Sequence, residues 1–303
     1  MSQRAFNSAL ATSQVIKLQP PLRQRSSVKA VRQEMELKIA TLQRDYADLH
    51  SEIFEAAQVH RKLCAPRMVR HGSFEIASEI FAVRHLPGDF FTIKKTSNRV
   101  ILALGDICGK GLAAGMWTTH MVELVATRAA IHSDPESIVA GVNRDLCVTG
   151  SHVPLASLFV ASLDPVNGTL DYCSAGHPPT LLLRANGELE LLSEGGTLVG
   201  VMPSARYVRG TVNLGAGDGL LAYTDGVFES VNNTEEEFGL ARLESQFRDA
   251  VKEAQGTTGA EAILFSILGA VQDFAAAYPL MDDLSLVVIR RDASGQKAEG
   301  SRQ

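Results

Sequence analysis

Val100-Ile101-Leu102-Ala103-Leu104-Gly105-Asp106-Ile107-Cys108-Gly109-Lys110-Gly111-Leu112 reads as a buried strand that stops at a glycine–aspartate pair. A short apolar run bounded by turn residues is the mark of a strand covered on both faces. The run Ala113-Ala114-Gly115-Met116-Trp117 then opens a helix over residues 111–132. An aspartate at the end of a buried strand, beside a glycine turn, is rigidly held and faces a place the backbone can approach closely. That position suits a metal ligand, and it equally suits an ordinary turn-former. Asp106 alone does not decide between them.

Working outward, the pattern on both sides is of short strands and turns. Residues 74–84 alternate loosely, and Gly88-Asp89-Phe90-Phe91 opens another strand. A second helix begins at Pro135 and runs through Asn143-Arg144-Asp145-Leu146. Strands are expected over 156–163, 169–174, 179–184, 188–192, 207–214, 219–224 and 284–290, and helices over 242–254 and 258–277. Many strands joined by turns, with helices inserted in pairs, predict antiparallel sheets with helices packed outside. The alternation of a Rossmann fold is absent. Gly105-x-x-x-Gly109-Lys110-Gly111 is no nucleotide P-loop either, because that loop needs four residues between its glycines and Ser/Thr after the lysine.

The N-terminal part differs. Residues 1–27 are rich in Ser, Gln and Arg, and a disordered basic tail is expected there. They contain no apolar segment of signal-peptide type and no amphipathic stripe of transit-peptide type. From Val28 to about residue 65 a long linker helix is predicted. Met35, Ile39, Leu42, Tyr46, Leu49, Ile53 and Ala56 step alternately by four and three, with Val28 and Leu63 in register. Such a heptad seam predicts a two-stranded coiled coil and hence a homodimer; the alternative is a single helix docked on its own domain. Residues 66–72 are read as a break, and residues 292–303 as a polar C-terminal tail.

Composition sets the outer limits. The chain has 303 residues, 45% hydrophobic and 21% charged, ample for a sizeable core. No run approaches the roughly 20 apolar residues of a membrane span. Residues 1–70 hold 12 Lys+Arg against 6 Asp+Glu, whereas the rest holds 17 against 28. The acidic body argues against nucleic-acid binding and is consistent with cation binding. Cys64, Cys108, Cys147 and Cys173 match neither a zinc pattern nor a disulfide framework, so reduced thiols and a cytoplasmic setting are expected.

Four aspartate sites share one grammar. Asp89 precedes Phe90-Phe91, Asp106 follows residues 100–104, Asp225 follows residues 219–224, and Asp282-Asp283 precedes Leu284. Strand ends from distant sequence converge on one edge of a stacked-sheet fold. Clustered carboxylates repel, and hard divalent cations neutralise them through oxygen ligands. Two such ions roughly 3.5–4 Å apart serve phosphate-ester hydrolysis. Singly each aspartate is more readily a turn-former; together the four favour a metal site.

Gly105-Asp106-Ile107-Cys108-Gly109-Lys110-Gly111 resembles the GDVSGKG motif of PPM-type metal-dependent protein serine/threonine phosphatases, in their SpoIIE/RsbU-like branch. Asn143-Arg144-Asp145-Leu146, Ala175-Gly176-His177-Pro178-Pro179, Leu198-Val199-Gly200, Tyr223-Thr224-Asp225-Gly226-Val227-Phe228-Glu229 and Asp282-Asp283-Leu284-Ser285-Leu286 follow in the family's order over about residues 70–291. The resemblance implies an α+β fold, a PPM-type sandwich of two antiparallel β-sheets flanked by α-helices and preceded by the N-terminal coiled-coil helix. It implies two divalent cations, Mn²⁺ or Mg²⁺. Asp89, Asp106, Asp225 and Asp282 would be catalytic metal ligands, joined by the backbone carbonyl of Ile107. Asp283 would stand beside them, bound to metal or supporting its neighbours. A water activated at the two-metal site would hydrolyse phosphoserine or phosphothreonine. The implied substrate is a phosphorylated STAS-type anti-sigma-factor antagonist or another phosphoprotein, in a partner-switching pathway. A catalytically weak pseudophosphatase that sequesters a partner remains the alternative, with a metal-dependent phosphodiesterase or nuclease behind it.

Three departures from the family pattern stand out: Pro87 before Gly88, Thr92 where an acid is usual, and Cys108 in place of Ser. Cys108 is either an oxidisable thiol or an inert small residue. Lys110 either steers an anionic substrate or is a solvated turn lysine. His177 is either a proton donor or a structural turn residue, and Met116 and Trp117 are expected in the core.

Overall fold

The computed structural model describes residues 22–63, 68–83, 86–96, 98–150, 153–254, 259–276 and 278–292. The chain divides into two compact units, Met1–Glu52 and Ile53–Gln303. No helix among the described residues is long and apolar enough to cross a membrane.

The described part of the first unit belongs to helix α1, Leu22–Leu63. It begins six residues before the expected Val28, directly after Pro20-Pro21 in the sequence, and proline is tolerated at a helix start but not in its interior. The rest of the expected basic tail, residues 1–21, lies outside the described residues. Surface pairs Arg32–Glu36 and Lys38–Glu34 add i,i+4 support. Met35, Ile39, Leu42, Tyr46 and Leu49 of the expected seam are all exposed.

The second unit opens with the last turns of α1. There the covered face is Ile53, Ala57 and His60; Ile53 and His60 keep the heptad register, and Ala57 is buried in place of the exposed seam residue Ala56. His60 Nε2 lies 2.6 Å from Thr118 Oγ1, inside the fold. The expected break at 66–72 instead contains a strand, β1 (Met68–His71), which forms a hairpin with β2 (Phe74–Phe81) through Gly72. The alternation Met68-Val69-Arg70-His71 is too short to read as a strand without its partner.

The strands β3 (Asp89–Lys95), β4 (Val100–Ile107), β5 (Ala156–Leu163), β6 (Thr169–Ala175), β7 (Thr180–Leu183), β8 (Leu189–Leu192), β9 (Gly195–Gly196), β10 (Gly210–Asn213), β11 (Gly219–Tyr223) and β12 (Leu284–Arg291) complete the set. The expected strand over 207–214 is thus only its second half. One sheet runs β1-β2-β12-β11-β7-β8 and the other β10-β6-β5-β4-β3, all antiparallel, with the two-residue β9 parallel to β6.

Side-chain alternation explains the layering. In β4, Val100, Leu102 and Leu104 face the core between the sheets, together with Phe159, Leu220 and Ile289. Ile101, Ala103 and Ile107 face the other way, against helices α2 (Leu112–Ile131) and α3 (Pro135–Val148). In β12, Val287 and Ile289 point to the central core while Leu284, Leu286 and Val288 meet α5 (Gly239–Glu253) and α6 (Ala260–Ala275). The central strands are therefore apolar on both faces, which is why β4 reads as a continuous apolar run. The expected sandwich of two antiparallel sheets between helix pairs is the observed fold.

Candidate metal centre

The register between β3 and β4 sets Asp89 directly opposite Asp106. Asp89 is buried, and Asp106 is half-buried at the end of its strand. The other sheet supplies Thr224 and the short helix α4 (Asp225–Phe228) after β11, and Asp282-Asp283 before β12. Pairing of β11 with β12 holds these two segments side by side, with Thr224 N–H donating to Ser285 O at 3.1 Å. The two sheets are tied at this edge by Thr224 Oγ1, which donates to Asp89 Oδ2 at 2.7 Å. Four strand ends separated by up to 193 positions in sequence, from Asp89 to Asp282, therefore meet at one edge.

The electrostatics record that convergence. Burial, then the Asp106 charge, pushes the Asp89 carboxyl well above the usual carboxylate range. Asp106 rises to about 7, first through burial and then through the charges of Asp225 and Asp282. Glu229, four residues beyond Asp225, is raised by burial and by the Asp225 charge. Carboxylates held against one another in this way need a proton or a cation.

Gly88 shows what kind of cation fits. A Cβ on Gly88 would meet Asp106 Oδ1 at 3.3 Å, Gly109 O at 3.5 Å and Ile107 O at 3.6 Å. The missing side chain leaves a small cradle lined by one carboxylate and two carbonyl oxygens. All-oxygen surroundings suit a hard cation such as Mg²⁺ or Mn²⁺. Among the described residues, no three Asp, Glu, His or Cys side chains stand as a ready-formed cage around one point. Asp282 is instead engaged by a tethered cation: Lys110 Nζ lies 2.6 Å from Asp282 Oδ2.

This pair carries a prediction. Both side chains are about half exposed, so their attraction is worth up to ~1 kcal/mol. Lys110→Ala is expected to tighten Mn²⁺ binding up to about fivefold, because the ammonium no longer competes for Asp282. Titration calorimetry on the metal-free protein checks it, and weaker binding by the variant would show that Lys110 assists the site instead.

Asp283 has a different task. Its Oδ1 accepts Val83 N–H and its Oδ2 accepts Gly88 N–H, each at 2.8 Å. Both oxygens are thus engaged in anchoring the turn that leads into Asp89. Pro87 is buried in the same turn. Thr92 lies three residues into β3, opposite Ala103 and away from the strand end.

The remaining motif residues build the surroundings. Buried Asn143 donates through Nδ2 to Met202 O and accepts Gly200 N–H at Oδ1, each at 2.9 Å, so α3 holds the turn after Leu198-Val199. Arg128 forms an ion pair with Asp145. His177 Nδ1 is 3.0 Å from Ser157 Oγ, and burial lowers its pKa to about 3. Burial therefore favours the neutral imidazole, the form expected of a structural turn residue. The Cys108 thiol is pushed up by partial burial and by Asp106 and Asp225, which favours the less reactive thiol over the thiolate. Trp117 packs on the α2–α3 core, but Met116 is 73% exposed, contrary to expectation. It lies on the outer face of α2, where a 3.6-residue period turns it away from Ala114, Gly115 and Thr118.

Sequence reasoning singled out the Ile107 carbonyl but not Thr224, Gly88 N–H or the Gly109 carbonyl as site groups. Thr224 lies within the Tyr223–Glu229 motif, but nothing local signals its reach across to Asp89.

Residues 96–292 match the family model described as stage II sporulation protein E (SpoIIE). The chain is 27% identical to protein IcfG of Synechocystis sp. (strain ATCC 27184 / PCC 6803 / Kazusa) over 188 residues, 53% of this chain and 30% of that one. It is 24% identical over 254 residues to phosphoserine phosphatase RsbU of Bacillus subtilis (strain 168), 83% of this chain and 73% of that one. It therefore spans about a third of the first relative and about three-quarters of the second. The SiaA-PP2C domain of Pseudomonas aeruginosa superposes with a TM-score of 0.69 at 15% identity, covering 81% of this chain and 98% of that one.

Proposed function

We propose, from the premise that the chain belongs to the SpoIIE family, that it is a metal-dependent phosphatase acting on phosphoserine or phosphothreonine in a protein. The observation that carries this reading is the meeting of Asp89, Asp106, Asp225 and Asp282 at one sheet edge beside the oxygen cradle of Gly88. RsbU, named a phosphoserine phosphatase, is a relative over most of this chain and supports it.

Asp89, Asp106, Asp225 and Asp282, with the Ile107 carbonyl, would hold two Mn²⁺ or Mg²⁺ ions. Bound there, such ions supply positive charge against the phosphoryl oxygens and make a water acidic enough to attack at neutral pH. The protein's own groups position the rest. Thr224 orients Asp89, and Asp283 fixes the turn before it. Lys110 is paired with Asp282 and would meet the approaching phosphate once it is released.

Hydrolysis of p-nitrophenyl phosphate is expected with Mn²⁺ or Mg²⁺, to be lost in chelator and in Asp225→Asn. Wild-type protein that binds Mn²⁺ yet turns over neither this ester nor any phosphoprotein would instead make the chain a pseudophosphatase. We further take the substrate to be a phosphorylated STAS-type anti-sigma-factor antagonist. Phosphate release from such a purified phosphoprotein tests this, and its absence across the available antagonists would remove that target while leaving the phosphatase.

The exposed seam of α1 favours a homodimer. Met35, Ile39, Leu42, Tyr46 and Leu49 are apolar or aromatic side chains at alternating four- and three-residue steps, all in water in a single copy. Full-length protein is expected to dimerise in light scattering, and a Leu42→Asp/Leu49→Asp double variant to be monomeric. A monomeric wild type at high micromolar concentration would eliminate the coiled coil.

A further inference from the structure

Beside the carboxylate cluster lies an open cavity of about 350 Å³. Asp106 and Asp225 line one part of it, and Pro178, Pro179, Leu198, Phe228 and Leu240 most of the rest. Its other polar side chains are Ser157 and His177, hydrogen-bonded to each other at 3.0 Å, and the Cys108 thiol. No lysine or arginine among the described residues lines it.

The phosphate itself does not belong in this cavity. A dianion placed there would face two carboxylates and apolar walls with no compensating cation, a costly arrangement. It belongs over the carboxylates, where divalent ions would neutralise both partners. The cavity is open to what stays attached to the phosphate, because the two share Asp106 and Asp225. An extended peptide advances about 3.3 Å per residue, so residues within three positions of the phosphorylated one reach it. The walls are mostly apolar, with the buried His177 Nε2 the lining atom left without a hydrogen-bond partner among the described residues, and such walls take an apolar side chain and reject a charged one.

We propose that this cavity is a specificity pocket for a substrate phosphoprotein, seating an apolar side chain such as Leu or Met that lies within three residues of the phosphorylated Ser or Thr. The inference rests on the phosphatase reading above and adds to it the sequence context of the substrate. Leu240 is the most accessible wall residue of those named, 44% exposed in the first turn of α5. It controls the charge of the pocket mouth without being needed for the core.

The test uses the full chain with Mn²⁺ and a series of phosphoserine peptides. Each peptide carries Leu, Lys or Asp at one position from three before to three after the phosphoserine. Phosphate release gives kcat and KM, with p-nitrophenyl phosphate, which has no flanking residues, run in parallel. At one position Leu is expected to exceed both Lys and Asp by about tenfold or more in kcat/KM, mainly through KM. Leu240→Glu is expected to abolish that preference and shift it towards Lys, while Leu240→Met retains it; matching circular dichroism and melting temperature confirm that each variant is folded. Equal rates for all peptides, or an unchanged Leu preference in Leu240→Glu, would overturn the pocket while p-nitrophenyl phosphate turnover upholds the phosphatase. Failure of every substrate with every divalent ion would overturn the phosphatase reading and the pocket with it.

Discussion

Asp106→Asn is expected to lower phosphatase turnover by more than about 100-fold while making the metal-free protein more stable. The first effect follows from position. Changing a group that merely orients a metal ligand typically costs 10–100-fold, so loss of a ligand should exceed that. The second follows from electrostatics. Burial and the charges of Asp225 and Asp282 raise the Asp106 pKa to about 7, so the folded state holds its proton more tightly than the unfolded chain does. Above pH 7 the folded protein carries the full penalty of an ionised Asp106. As the pH falls through about 7 towards the ordinary carboxylate range, the folded state takes up the proton first and the penalty is relieved. Asparagine never ionises and avoids the penalty at every pH.

Thermal melts of wild type and Asp106→Asn in chelator, between pH 5.5 and 8, check this directly. The variant should melt higher at pH 8, and the gap should close on acidification. Added Mn²⁺ should raise the wild-type melting temperature and barely move the variant's. A variant less stable than wild type at pH 8 in chelator would mean that Asp106 forms favourable contacts outweighing the repulsion. Such opposition between stability and function is expected where like charges are held together for chemistry.

Gly226→Ala is expected to impair both folding and turnover without touching a charge. A Cβ on Gly226 would lie 2.2 Å from the backbone oxygen of Asp283 and 3.3 Å from Asp282 Cβ. Backbone cannot swing aside as a side-chain tip can, so α4 and the segment before β12 must separate. Gly226 N–H also donates to Asp225 Oδ1 at 2.8 Å, and Gly226 O accepts Ser230 Oγ at 2.7 Å. Overpacking of this kind costs about 1–3 kcal/mol. The same displacement moves Asp225 away from Asp282, and a misplacement of about 1 Å can cost on the order of 100-fold in rate. Denaturant unfolding and kcat measured on the same preparation test the two effects together. A variant with wild-type stability and turnover would show that this contact relaxes freely and does not set the spacing of the two aspartates.

Much of this molecule is written locally. The run Val100–Leu104 is apolar at every position because β4 lies between two packed layers, and Gly105-Asp106 interrupts it one residue before the strand's end at the buried Ile107. The same local logic applies to Asp225 after β11 and Asp282 before β12. Hydrophobic period, glycine and strand length therefore sufficed to anticipate antiparallel sheets with helices outside and aspartates at strand ends, while the two-sheet sandwich followed from the family resemblance. The heptad of α1 was legible for the same reason, as a repeat within one helix.

Other features have no local signature because they depend on which strands become neighbours. The pairing of Asp89 with Asp106 is a matter of register, and a slip of one residue would turn one carboxylate to the opposite face. Thr224 reaching Asp89, Asp283 anchoring Gly88 and Lys110 meeting Asp282 each join segments far apart in the chain. The burial of Ala57 in place of the seam residue Ala56 also has a tertiary cause, since a helix buries whichever stripe its neighbours cover. β1 needed β2 beside it to be recognisable as a strand. Sequence by itself determined the elements and the kind of residue at their ends, because those are set by burial and turn chemistry within a few residues. Only the tertiary structure decided which ends face one another, because that is set by long-range packing of the two sheets.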